Sequence, residues 1–280
     1  ERQPGVRLMC PASLARLHLD EPRPSVTLGD GRRIGARLLV GADGRDSRVR
    51  GWAGIASRGW AYDQRAIVAN VTPTQWHQET AWQRFLPTGP LAFLPLSDGR
   101  CSIVWSSEPE PVKRLLALDE AAFCQALGEA FAHRLGSIRG CGPRAAFALR
   151  LQHAQQYVRP GLALIGDAAH AIHPLAGQGV NLGFLDAASL AAVLAEAGTR
   201  DRDIGSMATL RRYERARRGD NLAMLAAMDG LKRLFSTSSL PLALIRNLGL
   251  TLTDSLPLFK PLFMRRALGL SGELPPLARP

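Results

Sequence analysis

The stretch LALIGDAAHAIHPLAGQGVNLGFLDAASLAAVL, residues 162–194, decides the fold. It opens with a short apolar run of strand type, Leu162–Ile165, which ends at a turn containing Gly166 and Asp167. In an open α/β sheet, ligands bind beyond the carboxyl ends of such strands. Asp167 is therefore placed to accept hydrogen bonds from the hydroxyl groups of a ribose, with a plain turn residue as the alternative.

A glycine-rich loop and a helix follow this turn. Gly177 and Gly179 have no side-chain bulk, so the backbone amides beside them can approach a flat ligand closely. The sequence predicts that a helix begins near Val180 and Asn181, because leucines then recur at helical spacing. The amino end of a helix carries free N–H groups and a partial positive charge, which suits an electron-rich or anionic group.

A second motif, LLVGADGRDSRVR, occupies residues 38–50. It reads as a strand followed by the turn Asp43-Gly44, and then by a short helix that Ser47 or Asp46 would cap. An isolated Asp-Gly pair is a common turn and indicates nothing by itself. Two long motifs in this order are a much more specific signal.

Taken together, the motifs GDAAHxxxPxxGQGxN and LVGADGxxSxxR resemble those of the flavin-dependent aromatic hydroxylases, the group A monooxygenases. The resemblance implies an α/β fold: a Rossmann-like FAD/NAD(P)-binding domain with an inserted mixed β-sheet substrate domain and a helical C-terminal region. It also implies FAD as the cofactor, NADH or NADPH as the electron donor, and dioxygen as a co-substrate.

The resemblance further implies a role for individual residues. Asp167 would bind the ribitol or ribose hydroxyls of FAD, and Asp43 with Gly44 would lie beside its pyrophosphate. The carbonyl of Pro174 would face the hydroxyl of the substrate, although this proline equally well only shapes the turn. The complete set implied to contact FAD is Asp43, Gly44, Gly166, Asp167, Gly177, Gln178, Gly179, Val180 and Asn181.

Within this family the similarity is greatest to the ubiquinone-biosynthesis hydroxylases, of the type that acts on 2-octaprenylphenol or demethoxyubiquinol. The segments that carry it are LAFLPLSDGRCSIVWS at 91–106, HPLAGQGVNLG at 173–183, RRYERARRGDN at 211–221, LIRNLGL at 244–250 and MRRALGL at 264–270. The similarity implies hydroxylation of the aromatic ring of a polyprenylated phenol or quinol.

A complete member of the family should open with a strand, a GxGxxG turn and a helix that hold the ADP half of FAD. The segment around Gly29-Asp-Gly31 has the wrong spacing for this unit. It lies in SVTLGDGRRIGARLLV, residues 25–40, where apolar runs flank Asp-Gly, and this pattern predicts a hairpin instead. We therefore expect an N-terminally truncated family member, whose 280-residue form is potentially inactive alone.

Composition fits a globular protein, with 46% apolar residues among 280. No uninterrupted apolar run reaches about 18 residues, so no transmembrane helix is expected. The four cysteines show no CxxC spacing and are expected to be free thiols. These cysteines are Cys10, Cys101, Cys124 and Cys141.

The net charge of +11 has three readings. Nucleic-acid binding is disfavoured, because the basic residues are dispersed and no recognised motif is present. A genomic bias toward arginine and alanine explains the net charge equally well, without any anionic partner. Basic clusters alternating with Leu, Met and Phe over 205–270 suit contact with an anionic membrane surface, and packing of these helices on the fold is the equal alternative. We expect a cytoplasmic protein, with peripheral contact at the inner face of the cell membrane or with a quinone-biosynthesis complex left open.

Three further side chains attract chemical interpretations. Arg50 is expected to pair with Asp43 or with a phosphate, with an exposed helix arginine as the alternative. His170 and His173 have HxxH spacing, but no neighbouring set of ligands completes a zinc site, so no metal is predicted. Either histidine suits a proton relay near the ring, and a packed or water-bonded histidine is favoured over that role.

The chain divides into five parts by pattern. We expect one part of the FAD-binding domain at 1–54, a β-sheet substrate domain at 55–150, the continued FAD-binding domain at 151–204, a helical region at 205–270 and a loose tail at 271–280. The predicted strands cover 5–9, 13–19, 25–28, 33–41, 66–71, 80–86, 91–95, 101–106 and 162–165. A helix is predicted over 119–135, with Asp119 as its N-cap.

Two functions of other classes remain open on the sequence alone. One is a non-catalytic, flavoprotein-like scaffold of a quinone-biosynthesis assembly. The other is an FAD-dependent oxidoreductase of different chemistry, of halogenase or prenyl reductase type, which would share both flavin motifs. Side chains Phe85, Leu86, Phe93, Leu94 and Trp105 could line the substrate side of the sheet, and ordinary core packing explains them equally well.

Overall fold

The chain is described by a computed structural model that covers residues 4–172, 178–235 and 274–279, the side chains at 178, 231–233 and 235 excepted. The strands in these ranges are β1 Leu14–His18, β2 Ser25–Leu28, β3 Arg33–Gly35, β4 Leu39–Gly41, β5 Ser57–Pro73, β6 Trp82–Leu86, β7 Gly89–Pro95, β8 Cys101–Ser107, β9 Ile138–Cys141, β10 Ala145–Ala154, β11 Val158–Arg159, β12 Leu162–Leu164 and β13 His170–Ala171. The α-helices are α1 Arg48–Trp52, α2 Pro109–Ala117, α3 Glu120–Ala130, α4 Gln178–Thr199 and α5 Met207–Phe235. Short 3-10 helices cover Gly166–Ala168 and Pro276–Ala278.

A small three-stranded sheet, ordered β11-β12-β4, carries both sequence motifs. Strands β12 and β4 run parallel, with Leu162 opposite Leu39 and Leu164 opposite Gly41. The carboxyl ends of these two strands, which are more than a hundred residues apart in the sequence, therefore lie side by side. In this sheet β4 lies at the edge, and its Val40 is 44% exposed.

A seven-stranded sheet forms the second layer, in the order β13-β10-β5-β8-β7-β6, with β9 paired to β5. Its described pairs are all antiparallel, so the inserted sheet predicted as mixed is antiparallel here. Strand β5 is its long central element and pairs with β8 on one side and β10 on the other. A third sheet, β1-β2-β3, contains the predicted hairpin at Gly29-Asp-Gly31, which the structure confirms.

The two faces of the seven-stranded sheet pack against different helices. Alternate residues of β5, among them Ile67 and Val71, join a buried cluster with α2 and α3. Intervening side chains belong to a smaller cluster on the opposite face, where Leu225 of α5 packs against Ala66 and Leu151. This division follows from the period of two along a strand, which sends successive side chains to opposite faces.

Helices α4 and α5 pack against the three-stranded sheet β11-β12-β4. A third buried cluster joins Val49 of α1, the strand residues Leu162 and Leu164, Leu190 of α4 and Tyr213 of α5. By length and composition, the segment 179–199 of α4 is apolar enough to span a membrane. Leu190, Val193 and Leu194 of this segment pack in the cluster, whereas Val180 and Phe184 are 67% and 70% exposed.

Several predicted elements need correction. Residues 5–9 form no strand, and the run 33–41 is divided between β3 and β4, which belong to different sheets. The helix predicted to reach residue 135 ends at Ala130, because Ala132 and His133 have left-handed backbone conformations, each with φ of 52°. Helix α2 was missed, and within the predicted loose tail a 3-10 turn lies against α4.

The N-cap of α3 gives a stability test. Asp119 accepts a hydrogen bond from the Ala122 N–H at 2.7 Å, as the sequence predicts for this position. We expect Asp119→Ala to lower the free energy of unfolding by about 1 kcal/mol, since a donor in the first turn loses its partner. Urea unfolding measures this change. Asp119→Asn keeps an acceptor and should lose much less, so equal losses in the two variants would contradict the assignment.

Candidate functional site

The two motif turns leave the sheet at the same edge. Strand pairing places Leu164 opposite Gly41, and the Ile165 N–H donates to the Gly41 carbonyl at 3.0 Å. The turn at Asp43 and the turn at Asp167 therefore start from neighbouring strand ends. This is the position at which parallel α/β sheets bind ligands.

Arg50 ties the two turns together. Its guanidinium donates to the Ala168 carbonyl at 2.8 Å and to the Arg45 carbonyl at 2.9 Å. The side chain is buried, and that burial lowers its pKa while the nearby charges of Asp43 and Asp46 act in the opposite direction. The expected direct ion pair with Asp43 and the exposed alternative were both wrong, because the guanidinium instead satisfies backbone carbonyls of both turns.

Asp43 organises its own turn. Its carboxylate accepts from the Ser47 hydroxyl at 2.5 Å and from the Val49 N–H at 3.0 Å. Ser47 is also the N-cap of α1 and accepts from the Arg50 N–H at 2.9 Å, which confirms the predicted cap. Gly44 has φ of 82°, in the left-handed region that favours glycine. The backbone that carries Asp43 and Gly44 is thus fixed by local hydrogen bonds.

The turn at Asp167 lies against the beginning of α4. Gly166 has φ of 57°, and a Cβ built on Gly183 would lie 3.3 Å from the Gly166 Cα. A side chain at position 183 would therefore require the turn and the helix to shift by a few tenths of an ångström, whereas at position 166 the Cβ would lie at an ordinary 3.7 Å and the constraint is the positive φ. The glycines therefore bring the amino end of α4 close to the strand end, where a ligand would meet free N–H groups.

Several exposed residues lie at the Asp167 turn and at the beginning of α4. Asp167 is exposed, and no described residue donates a hydrogen bond to its carboxylate. Val180 is 67% exposed, and Asn181 is exposed beside it in the first turn of α4. An acceptor at a parallel strand end, next to an open helix amino terminus, fits the ribityl and ring portion of FAD. The GxGxxG unit that would hold the ADP portion is not found in the sequence.

Helix α4 begins at Gln178, two residues before the predicted start at Val180 and Asn181. Gly179 therefore lies in its first turn and not in a loop. Pro174, Gly177 and His173 lie outside the described residues, so their predicted roles stay predictions. Among the described residues no group of three or more His, Cys, Asp or Glu side chains could hold a metal ion.

Sequence reasoning missed a buried polar cluster behind the Asp167 turn. Asp186 of α4 is fully buried and accepts from the Gly166 N–H at 3.0 Å and from Nε2 of His170 at 2.5 Å. From α5, Arg217 donates its Nε–H to Asp186 at 2.9 Å and Asn221 donates its amide at 3.1 Å. One carboxylate thus joins the turn, strand β13 and both long helices. We call Asp186, His170, Arg217 and Asn221 the Asp186 cluster.

The charges of the Asp186 cluster are mutually stabilised. Burial alone would raise the pKa of Asp186, but hydrogen bonds from His170, Asn221 and Arg217 outweigh that effect and hold the pKa below its usual value. Since a carboxylate only accepts, the His170 Nε2 carries the hydrogen in this pair. Its Nδ1 is buried and has no hydrogen-bond partner among the described residues.

A chain of hydrogen bonds continues from Asn221 to β10. Asn221 donates to the Tyr157 hydroxyl at 3.3 Å, and that hydroxyl lies 3.0 Å from Nε2 of His153. Burial, and then the nearby charges of Arg218 and His170, lower the pKa of His153 to about 4. His153 is therefore neutral at pH 7 and can accept the hydrogen of the Tyr157 hydroxyl.

The five side chains that the sequence suggested for the substrate side lie on two different faces of the seven-stranded sheet. Phe93, Leu86 and Trp105 belong to the cluster with α2 and α3, so they are core residues. Leu94 and Phe85 alternate with them and are 36% and 41% exposed. Of the five side chains considered from sequence, the structure therefore leaves these two on the outer surface of the sheet.

Comparison with known proteins settles the family. The FAD binding domain family matches residues 18–225, a range that contains both turns and the Asp186 cluster. The chain belongs to this family. It is also 46% identical over 281 aligned residues to ubiquinone hydroxylase UbiL of Rhodospirillum rubrum, covering 99% of this chain and 66% of that relative.

Other relatives agree. The chain is 40% identical to 3-demethoxyubiquinol 3-hydroxylase of Escherichia coli, over 96% of this chain and 69% of that protein. It is 45% identical to the mitochondrial ubiquinone biosynthesis monooxygenase COQ6 of Mus musculus, over 84% of this chain and 56% of that protein. The predicted likeness to ubiquinone-biosynthesis hydroxylases is confirmed, and the chain spans about 56–66% of the first relatives' length.

Solved structures confirm the fold. The p-nitrophenol 4-monooxygenase PnpA of Pseudomonas putida superposes with a TM-score of 0.76 at 20% identity, over 94% of this chain and 67% of that one. PqsL of Pseudomonas aeruginosa, described as a probable FAD-dependent monooxygenase, superposes with a TM-score of 0.64 at 26% identity, over 80% and 64%. The FAD-binding α/β fold predicted from the two motifs is therefore correct.

The Asp186 cluster gives a second stability test. We expect Asp186→Asn to lower the free energy of unfolding by about 3–5 kcal/mol, because the buried Arg217 charge loses its counter-charge. Asp220→Asn is the matched control, since Asp220 is an exposed partner of the same arginine at 3.6 Å, and it should lose less than about 1 kcal/mol. Chemical unfolding of both variants measures the difference, and similar losses would refute the buried pairing.

His153 predicts a pH dependence. Its pKa is lowered from 6.5 to about 4 in the folded chain, so the unfolded chain binds the proton more tightly. Stability contributed by neutral His153 is complete above about pH 6.5 and is lost as the pH falls toward 4. His153→Gln should therefore show a shallower decrease in unfolding free energy between pH 6.5 and 4 than the parent chain. Parallel pH curves for the two proteins would rule this out.

Proposed function

We propose that this chain supplies the flavin-facing turns and the substrate sheet of an FAD-dependent monooxygenase that hydroxylates the ring of a polyprenylated phenol or quinol in ubiquinone biosynthesis. The observation that carries the proposal is the common strand edge at which the Asp43 and Asp167 turns meet. The relatives support the reaction class, because those most similar in sequence bear the names of ubiquinone hydroxylases and monooxygenases.

The protein's own contribution is binding and orientation. When bound, FAD supplies the oxygen-transfer chemistry, with NADH or NADPH as the electron donor and dioxygen as the oxidant. Asp167 accepts hydrogen bonds from ribityl or ribose hydroxyls, and Asp43 with Gly44 shapes the backbone near the pyrophosphate. Amides at the start of α4, around Gln178, Gly179, Val180 and Asn181, stabilise negative charge on the pyrimidine side of the ring.

The prenylated ring is proposed to lie against the outer face of the seven-stranded sheet. Leu94 and Phe85 are partly exposed there, and Phe147 is 57% exposed on the strand position opposite Ala66. Apolar surface of this kind excludes water from the ring and strengthens the polar contacts beside it. Family resemblance implies that the carbonyl of Pro174 faces the substrate hydroxyl and that Gly177 contacts FAD.

The division into domains is proposed along the same lines. Residues 1–54 and 151–204 are proposed as the FAD-binding part, 55–150 as the substrate sheet, 205–270 as a helical region and 271–280 as the tail. The end of β10, up to Ala154, and β13 also pair within the seven-stranded sheet, so the second boundary at 150 does not coincide with the end of that sheet. Contact of the basic helical region with an anionic membrane surface, or with a quinone-biosynthesis complex, would present a lipid-tailed substrate to the sheet. We place the protein on the cytoplasmic side of the cell membrane.

FAD binding by the chain is the first test. Saturable quenching of flavin fluorescence is expected on titration, and Asp167→Ala should weaken binding by about tenfold, as for the loss of one hydrogen bond to a charged acceptor. Asp20→Ala is the control, because Asp20 is exposed and makes no hydrogen bond to a described residue. Equal affinity in all three proteins would exclude Asp167 from the cofactor site.

Turnover distinguishes the remaining functions. The chain should be assayed alone and preceded by a βαβ unit of GxGxxG type, with a short-chain prenylated phenol, NADH or NADPH, and isotopically labelled dioxygen. Label in the hydroxylated ring identifies the monooxygenase. Consumption of the donor without ring oxygenation would indicate another flavin oxidoreductase, and a folded protein that binds no FAD in either form would indicate the scaffold.

A further inference from the structure

A cavity of about 780 Å³ lies between α5 and the adjoining ends of β5 and β10. None of its described lining residues belongs to the Asp43 turn or to the Asp167 turn. The side chains that matter for its chemistry are two arginines, one acid, one histidine and an apolar group. They are Arg58, Arg218, Asp229, His153, Trp60, Leu151, Leu222 and Leu225.

Positive charge in this cavity exceeds negative charge. Arg218 has a buried Nε with no hydrogen-bond partner among the described residues, and the exposed side chain of Arg58 makes no hydrogen bond or ion pair with them. The acid in the lining, Asp229, accepts from the Tyr62 hydroxyl at 3.0 Å. His153 adds no charge at pH 7, because its pKa is lowered to about 4. Two guanidinium groups therefore face one carboxylate.

Apolar side chains form the remaining wall. Leu151 and Leu225 are buried and belong to the cluster on the outer face of the sheet, which also contains Ile172. Leu222, one turn before Leu225, is 43% exposed at the cavity. The cavity thus presents an apolar surface at Leu222 and an unpartnered buried N–H donor at Arg218 close to one another.

We propose that this cavity binds an amphiphile with one acidic head group and a hydrocarbon tail. A carboxylate or phosphate head would pair with Arg218 and Arg58, since a guanidinium offers planar, bidentate donors to both groups. The tail would cover Leu222 and extend along Leu151 and Leu225. This site is additional to the proposed flavin and ring sites, and it does not depend on either.

Calorimetric titration of the chain with dodecanoate, below its micelle concentration and at pH 7.5, tests the proposal. One saturable site is expected. Arg218→Gln should weaken binding about tenfold or more, as a charge-assisted pair is lost. Arg215→Gln is the matched control, because Arg215 is an exposed arginine of the same helix outside the cavity lining and should leave affinity unchanged.

Related ligands distinguish the contribution of the acidic head group to affinity from that of the hydrocarbon tail. Dodecanol lacks the charge and acetate lacks the tail, so both should bind at least tenfold more weakly than dodecanoate. Dodecyl phosphate tests whether a phosphate head is preferred over a carboxylate. Leu222→Asp, at a partly exposed position, provides a second variant that should repel the acid should Arg218→Gln fail to fold.

Several outcomes would overturn the proposal. These are no saturable binding, equal affinity for dodecanoate and dodecanol, and unchanged affinity in Arg218→Gln or in Leu222→Asp. Bound dodecanoate should also raise the unfolding temperature of the parent chain more than that of Arg218→Gln at the same concentration. FAD titration of Arg218→Gln, run in parallel, should match the parent chain, so failure of this site and failure of the proposed function are distinguishable.

Discussion

The buried carboxylate of Asp186 is the constraint on which the site depends. It receives hydrogen bonds from a backbone amide of the Asp167 turn, from His170 on β13, and from Arg217 and Asn221 on α5. A buried charge of this kind is tolerated only when its partners are complete. The same requirement holds the turn, the strand and the two helices in one arrangement.

Arg50 plays the corresponding role on the other side of the turns. The Asp186 cluster holds the Asp167 turn through the Gly166 amide. Arg50 donates hydrogen bonds to the Ala168 carbonyl of that turn and to the Arg45 carbonyl of the Asp43 turn. Asp186 and Arg50 hold the two turns in position without touching a ligand themselves. Exposed groups such as Asp167 can be accurately placed because buried ones fix the backbone beneath them.

Local patterns in the sequence predicted the strand-turn units, the Ser47 and Asp119 caps and the hairpin, because each depends on residues a few positions apart. The roles of Arg50 and Asp186 were not predicted, because their partners lie 118 residues away for Arg50 and 20 and 31 residues away for Asp186. One signal was present. Asp186 lies four residues after Leu182 and four before Leu190, both buried, and an acid on the apolar stripe of a helix indicates a buried partner.

The helix boundary at Ala130 was missed for a different reason. Apolar spacing continues through Phe131 and Leu135, and both side chains are indeed buried with α3, but the backbone between them adopts left-handed conformations. Periodicity reports which residues face the core, and it does not report how the chain reaches them.

The composition of the Asp186 cluster also has a consequence for the order of assembly. The Gly166 amide meets Asp186 across 20 residues, and Asp186 meets Arg217 across a further 31. Closing loops of this length costs less chain entropy than closing the loop of 118 residues between Arg50 and Ala168. On a ribosome, the nascent chain would expose the Asp167 turn well before Arg217 and Asn221 emerge. Asp186 therefore gains its two partners on α5 only after that helix has been synthesised, so the hydrogen bonds that support the ligand edge are completed late in synthesis.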